Sequence, residues 1–438
     1  MNNGLRLLLL VVFMALLLGI FLSIQFLREE NEITIFVTGD LEGYLVPCGC
    51  RTSPAGGLSR RLPILEKIKA EKPNAKIVPV ELPNIYIDRS PSKDLINKTV
   101  GDFLFRNNYL VAIGGRDLSF GEKLKDYYGG SYYLAGVQGF KEGEIIELGG
   151  FKGLPFGEKG KLHLLFLSEL EDKPELPIKV FKENAEKYKN DAFVIFGYLS
   201  PQTIEKILGE KVQILGVFAT WGNTVTSFPQ KAKNSWVVFL GDKGRKYARF
   251  DISYYEGKWN TWPETSYIDR ELPYDKAEED KIVKVLREDE EKNEEILSSM
   301  AKKFESNSDY AGSLYCKNCH KEEYEKWEKT THFSATKVLE IDHQEKNPEC
   351  LVCHSTAFGK GGYPDKTKDF GGIGCEVCHG AGKNHPPSKM KVENGTQTCL
   401  QCHTKRDSSY FNEGYLQLIE HSSKKKSKGI FVITGVAN

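Results

Sequence analysis

Four copies of the pattern Cys-x-x-Cys-His stand in the last third of the chain: Cys316-Lys-Asn-Cys319-His320, Cys350-Leu-Val-Cys353-His354, Cys375-Glu-Val-Cys378-His379 and Cys399-Leu-Gln-Cys402-His403. Two thiols separated by two residues can add to the two vinyl groups of one haem while the adjoining imidazole takes its iron from below. Each copy therefore reads as a covalent haem c attachment site. The rival is structural zinc, because Cys375/Cys378 and Cys399/Cys402 have the separation of a zinc ribbon. A ribbon has no need of a histidine after every pair, and all four pairs have one. The expectation is four covalently bound haem c groups, with His320, His354, His379 and His403 as one axial ligand each.

The other side of each iron takes a second ligand or stays open. Beyond Tyr310 the remaining histidines are His332, His343, His385 and His421, and the one methionine is Met390. That supply favours bis-histidine iron and, without Met/His pairs, mostly low potentials. Ordinary surface histidine is the plainer alternative, and four in so short a segment weaken it.

These motifs need a scaffold and an address. At 438 residues the chain has room for two or three domains. Its 60 basic residues balance 60 acidic ones, so no nucleic-acid partner is expected. Only Cys48 and Cys50 lie outside the four motifs, which excludes a disulfide-stapled secreted fold. Residues 7–27 are apolar except for Gly19, Ser23 and Gln25, long enough to span a bilayer. No convincing small-x-small pattern precedes Arg28-Glu29-Glu30, which favours an uncleaved signal anchor over a removed signal peptide or a buried core helix. Arg6 and Arg28 flank the run and leave its orientation open. Covalent haem is attached outside the bacterial cytoplasmic membrane, so the expected protein is single-pass, with residues 29–438 facing the periplasm.

Short β-branched or aromatic runs then follow one another: Ile33–Val37, Lys76–Val80, Leu110–Ile113, Leu162–Leu167, Ala192–Phe196, Gln213–Val217 and Trp236–Leu240 read as strands. Ser59–Ala70 and Pro201–Leu208 read as helices, and Arg249–Tyr255 as a closing antiparallel strand, giving an α/β domain. From Asp275 to Phe304 charge dominates over a partial apolar stripe, which predicts a helical linker with a solvated acidic face. Beyond Tyr310 apolar residues are sparse, so large macrocycles would have to serve as core. The predicted plan is multidomain: 1–30 a membrane helix, 31–270 an α/β domain, 271–309 the linker, and 310–438 a mostly α or irregular tetrahaem domain. The tail Lys424-Lys-Lys426 with Gly429–Ile433 reads as a solvated segment with a short strand, or as a dock for an acidic partner.

The segment Tyr310–Cys316 with Cys319-His320, Tyr324, Trp327 and Thr331–Ala335 resembles the opening of cytochrome c-554 family domains. Pro348–His354, Gly374–Gly380 with His385, and Tyr415–His421 after the last motif are similar to the same family. The resemblance covers about residues 310–421. It implies periplasmic electron transfer between redox proteins, with His332, His385 and His421 as distal ligands, at least some of them serving a haem other than the nearest in sequence. His343 is either a ligand or an ordinary exposed histidine. If it does not ligate, the resemblance allows one five-coordinate haem, for which Cys350–His354 is the choice.

Val37–Leu45, Pro47–Cys50 and Gly56–Arg61 resemble the start of the metallophosphatase and 5'-nucleotidase superfamily, which implies a metallophosphatase-like α/β sandwich over about residues 33–255. Members hold two metals with Asp, Asn and several His to activate water. Here Asp40-Leu41-Glu42 stands for Asp-x-His, Val80–Asn84 for the Gly-Asp stretch, and Gly114-Gly115-Arg116-Asp117 for Gly-Asn-His. Later positions read Phe196-Gly-Tyr198 and Ala219-Thr-Trp221-Gly222, and His163 is the one histidine between Ile33 and Asp309. Its apolar strand setting reads as core. Hydrolysis is disfavoured and a scaffold or docking role expected, although Asp40, Glu42 and Asp117 could bind a hard cation. Cys48 and Cys50 could be a redox pair, metal ligands or a turn feature. Three functions remain in competition: an electron carrier, a multihaem reductase of a small nitrogen or sulfur oxyanion at an open haem, and a redox-regulated phosphoesterase.

Overall fold

The computed structural model describes residues 13–19, 32–47, 55–147, 161–222, 224–241, 243–255, 257–304, 308–342, 344–363, 369–385, 398–399 and 401–403. Residues 13–19 are helical, and no helix among the described residues is long and apolar enough to cross a membrane. Most of the apolar run 7–27 lies outside the described residues, as do Cys48, Cys50, His343, Met390, His421 and the tail from 404 onward. Two compact units emerge, with the break between Ile282 and Val283; the segment Asp88–Lys93 belongs to the second unit.

The first unit is built on two six-stranded sheets. One has the order β12 (Lys258–Tyr267), β11 (Lys246–Tyr255), β1 (Glu32–Thr38), β2 (Lys76–Glu81), β3 (Leu110–Ala112), β4 (Tyr132–Tyr133). Strands β1 to β4 run parallel and β11 pairs antiparallel with β1. The other has the order β5 (Gly143–Glu147), β6 (Lys161–Phe166), β7 (Ala192–Tyr198), β8 (Gln213–Thr220), β10 (Ser235–Phe239), β9 (Gln230–Ala232), with β6, β7, β8 and β10 parallel.

Sequence alternation explains how the sheets stack. Ile33, Ile35, Val37, Val78 and Val80 from the first sheet share one core with Leu164, Phe166, Val194, Phe196 and Val238 from the second. The intervening residues of the second sheet, Leu165, Phe193, Ile195 and Val217, form another core with Val180 and Phe181 of the Leu176–Lys187 helix and Ile204 and Ile207 of the Pro201–Ile207 helix. A strand covered on both faces must read as a near-continuous apolar run, as these do. The result is an α/β sandwich.

The strands expected from sequence are all present, and Arg249–Tyr255 does lie antiparallel to β1. β12 was not anticipated. It extends the first sheet past that strand with every second residue exposed and carries Pro263, so it has neither a long apolar run nor unbroken β-propensity.

The charged segment forms one helix, Lys276–Phe304. Its acidic face is not uniformly solvated: Glu278 is buried, where it accepts two hydrogen bonds from Arg106, and Ser59 donates to Glu279. Further along, Asp289 accepts from Ser90 and Lys292 donates to the Pro91 carbonyl, both within the second unit. The rest of that unit is short helices and turns: Ser313–Lys317, Lys321–Trp327, Pro348–His354 and Cys375–His379.

Candidate functional site

The four cysteine motifs each occupy a single helical turn. In the first, the His320 amide donates to the Cys316 carbonyl at 2.9 Å; in the fourth, His403 does the same to Cys399 at 2.9 Å. Residues three and four apart lie on one face of a helix, so this turn points both thiols and the imidazole to one side. The second motif is started by Asn347, whose side chain accepts from the Glu349 amide, followed by Pro348 at the first helical position. Gly312, in a left-handed conformation at φ 88°, opens the helix that carries Cys316.

Side chains of short reach lock these turns to one another. Thr356, just past the second motif, donates to the Gly372 carbonyl and accepts from the Gly374 amide, both at 2.8 Å. Ser313 accepts from the Cys375 amide at 3.3 Å. Thr336 donates to the His354 carbonyl and accepts from the Gly372 amide, both at 2.6 Å. Gly372 has φ 77°, and a side chain there would run into the carbonyl oxygens of His332 and Phe333.

None of the eight motif cysteines is disulfide-bonded. Thiols of different motifs lie beside one another instead, Cys316 by Cys375 and Cys353 by Cys402. Sharing a proton with Cys316 brings the Cys375 thiol down to about 7, whereas burial pushes Cys378 up to about 11. The first motif thus adjoins the third, and the second adjoins the fourth.

The histidines form two facing pairs. His320 and His385 have ring centres 6.3 Å apart with planes at 30°, and His332 and His403 have ring centres 6.0 Å apart with planes at 51°. Two imidazoles that share one metal, each nitrogen about 2 Å from it and about 1 Å from its own ring centre, stand about 6 Å apart. Burial holds His332 and His403 below the ordinary histidine value, with a neighbouring imidazole adding to it, and the neutral ring is the ligating form. His354 Nδ1 lies 2.8 Å from the Ala335 carbonyl oxygen. A carbonyl can only accept, so Nδ1 carries the proton and Nε2 keeps its lone pair for a metal. Among the described residues no ring pair with His354 stands at such a spacing, although His354 is the imidazole that adds to the lowering at His403. His379 closes the third motif helix.

The residues present fit haem. Reduced thiols, adjoining imidazoles and one-turn motifs are the required donor set, and Leu314, Tyr315, Val338 and Val352 leave apolar surface exposed around the motifs, where a macrocycle would pack. Among the described residues no group of three or more His, Cys, Asp or Glu is arranged to hold a metal ion.

The first unit carries its own polar constellation where β1 and β2 end. Asp40, Glu42 and Asn84 all have positive φ, of 55°, 50° and 69°. Asn84 Nδ2 donates to Asp40 at 2.9 Å, Glu42 forms an ion pair with Arg116, and buried Asp117 accepts from the amides of Asn84, Ile85 and Gly114 at 2.9, 2.9 and 3.2 Å. The three carboxylates expected to be available to a hard cation are each held by protein donors. His163 packs between Tyr188 and Phe193 and lies 2.7 Å from Asp191, a core arrangement.

Sequence reasoning missed the residues that hold the motifs together: Ser313, Thr336, Thr356 and Glu376. Their partners are mainly backbone groups, which leave no mark on residue type. The one available signal is Glu376, an acidic residue between two cysteines.

Residues 315–380 match the family model described as cytochrome c554 and c-prime. A curated relative, cytochrome c-554 from Nitrosomonas europaea, is 30% identical over 93 residues, 17% of this chain and 40% of that protein. The chain therefore spans less than half the length of the curated relative it matches. Solved structures similar to the first unit include Thermus thermophilus sulfate thiohydrolase SoxB (TM-score 0.47, 16% identity, 59% of this chain and 60% of that one). A 5'-nucleotidase precursor, also from Thermus thermophilus, gives a TM-score of 0.45 at 14% identity, over 64% and 61% of the two chains. The calcineurin-like phosphoesterase YfkN from Bacillus subtilis gives 0.44 at 12% identity, over 59% and 97%.

Proposed function

We propose that this chain is a membrane-anchored periplasmic cytochrome with four covalent haem c groups that passes electrons between periplasmic or membrane redox proteins. The observation that carries this reading is the two pairs of facing imidazoles, His320 with His385 and His332 with His403, 6.3 and 6.0 Å apart and each including one motif histidine. Haem would supply a one-electron couple at each iron. The protein's part is to fix the neighbours: Cys316, Cys319, Cys350, Cys353, Cys375, Cys378, Cys399 and Cys402 would anchor the groups, and His320, His354, His379 and His403 would each ligate one. His385 and His332 serve the first and fourth motifs from the other side, and His343 and His421 are the candidates for the remaining two.

The thiol pairs Cys316 with Cys375 and Cys353 with Cys402 support adjacent groups within each pair, which short electron steps require. Ser313 ties the first motif to the third, and Thr336 and Thr356 tie the second to the third. The first unit acts as a scaffold or a dock for a redox partner, and the apolar run 7–27 anchors the chain. Anchoring is tested by membrane fractionation of the full chain: release by alkaline wash alone contradicts it.

A second reading is favoured by one observation. The Ala335 carbonyl fixes the tautomer of His354 and leaves Nε2 for a metal, so that, where neither His343 nor His421 serves the second motif, its iron would be open to reduce a small nitrogen or sulfur oxyanion. Electron paramagnetic resonance of the oxidised holoprotein separates the two. Low-spin signals alone, with no spectral change on adding nitrite or sulfite, support the carrier; a high-spin signal that shifts with the anion supports the reductase.

A further inference from the structure

Glu376 lies between the two cysteines of the third motif and is 2% exposed. Its carboxylate accepts three backbone hydrogen bonds, from Ala311 and Gly382 to Oε1 at 2.8 and 2.7 Å, and from Gly312 to Oε2 at 2.8 Å. The donors come from two segments. Ala311 and Gly312 open the helix that carries Cys316, and Gly382 belongs to the turn that brings His385 to 6.3 Å from His320. One side chain of the third motif therefore grips both sides of the first motif's imidazole pair.

The balance of charge is equally specific. Among the described residues Glu376 forms no ion pair with Lys, Arg or His; it is faced by the amide dipoles of Ala311, Gly312 and Gly382. A buried anion without a cation keeps a long reach, because little solvent screens it. Reducing a nearby iron adds one negative charge to that environment, which the anion opposes. An amide could not do the same work: it has one acceptor atom and would present N–H groups to N–H donors.

We propose that Glu376 is a positioning residue that fixes the His320/His385 pair and, through its buried charge, lowers the reduction potentials of the groups on the first and third motifs relative to those on the second and fourth. This inference rests on the haem reading of the motifs. It is tested on the full-length holoprotein by spectroelectrochemical titration, with spin state followed by electron paramagnetic resonance. E376Q is expected to raise the midpoint potentials of one pair of haems and leave the other pair unmoved, while E376D, which keeps the charge, returns them toward wild type. A fully loaded E376Q protein with four unmoved potentials overturns the proposal, as does an E376D shift as large as that of E376Q. If E376Q does not accumulate, E376D decides alone: its shorter reach breaks at least one of the three hydrogen bonds, so one low-spin signal must move, and a spectrum identical to wild type overturns the positioning role. A chain purified without haem sinks the cofactor reading itself, which the pyridine haemochrome assay distinguishes from a loaded protein with unmoved potentials.

Discussion

His332 and His403 stand with their ring centres 6.0 Å apart, although one follows the first cysteine motif and the other ends the fourth. The segment after His332 also reaches the second motif, through the Ala335 carbonyl on His354 and Thr336 on the His354 carbonyl. One short stretch of chain thus bears on two candidate iron sites. That arrangement makes the effects of single substitutions separable.

His332→Ala and His385→Ala should each remove one haem's worth of low-spin signal, at different haems, because their rings face His403 and His320 respectively. Each variant should gain a high-spin signal of equal size, and the double variant should show the sum of the two changes, since sites without shared partners add. Electron paramagnetic resonance of the oxidised proteins reads this directly. Loss of the same signal in both variants would mean that the rings serve one iron, contrary to the pairing.

Thr336→Val keeps the side-chain shape and deletes two hydrogen bonds, to the His354 carbonyl and from the Gly372 amide. The expected cost is about 1–3 kcal/mol, at the level of one or two lost hydrogen bonds with a partner left unsatisfied. Denaturant unfolding followed in the haem absorbance should show a lower midpoint with an unchanged slope. An unchanged midpoint would show that these bonds do not hold the motifs together.

Arg61 and Glu81 form an ion pair at 2.6 Å with both side chains wholly buried, and Thr38 donates to the same carboxylate oxygen. Arg61→Met should destabilise the first unit by about 3–5 kcal/mol, because it strands a buried carboxylate. Arg61→Met combined with Glu81→Leu should recover much of that loss, as replacing a whole buried pair by apolar residues often does. Tryptophan fluorescence during unfolding measures both. Equal destabilisation by the single and double variants would contradict the charge argument.

The fold of the first unit was largely legible because strands covered on both faces must be written mainly in apolar residues, as Ile33, Ile35 and Val37 are on one face of β1 and Phe36 on the other. β12 escaped notice because its side chains alternate between exposed and half-buried and include Glu264 and Pro263. The candidate site was legible where chemistry fixes residue type and spacing, in the cysteines and their adjoining histidines. Which histidine faces which could not be read, since the approach of His385 to His320 depends on a turn held by Glu376 and backbone amides. The same limit applied to Asp40, Glu42 and Asp117: their residue types allow a cation but carry no sign of their hydrogen-bond partners, Asn84, Arg116 and the backbone amides around Asp117.

The central claim is that the four Cys-x-x-Cys-His turns each carry a covalent haem. The pyridine haemochrome assay on the denatured, purified full-length chain, set against its protein concentration and confirmed by intact mass, counts them. The account predicts four haems per chain that stay attached through acid and organic extraction. A chain that yields fewer than four, loses its haem on extraction, or returns zinc in place of haem contradicts it.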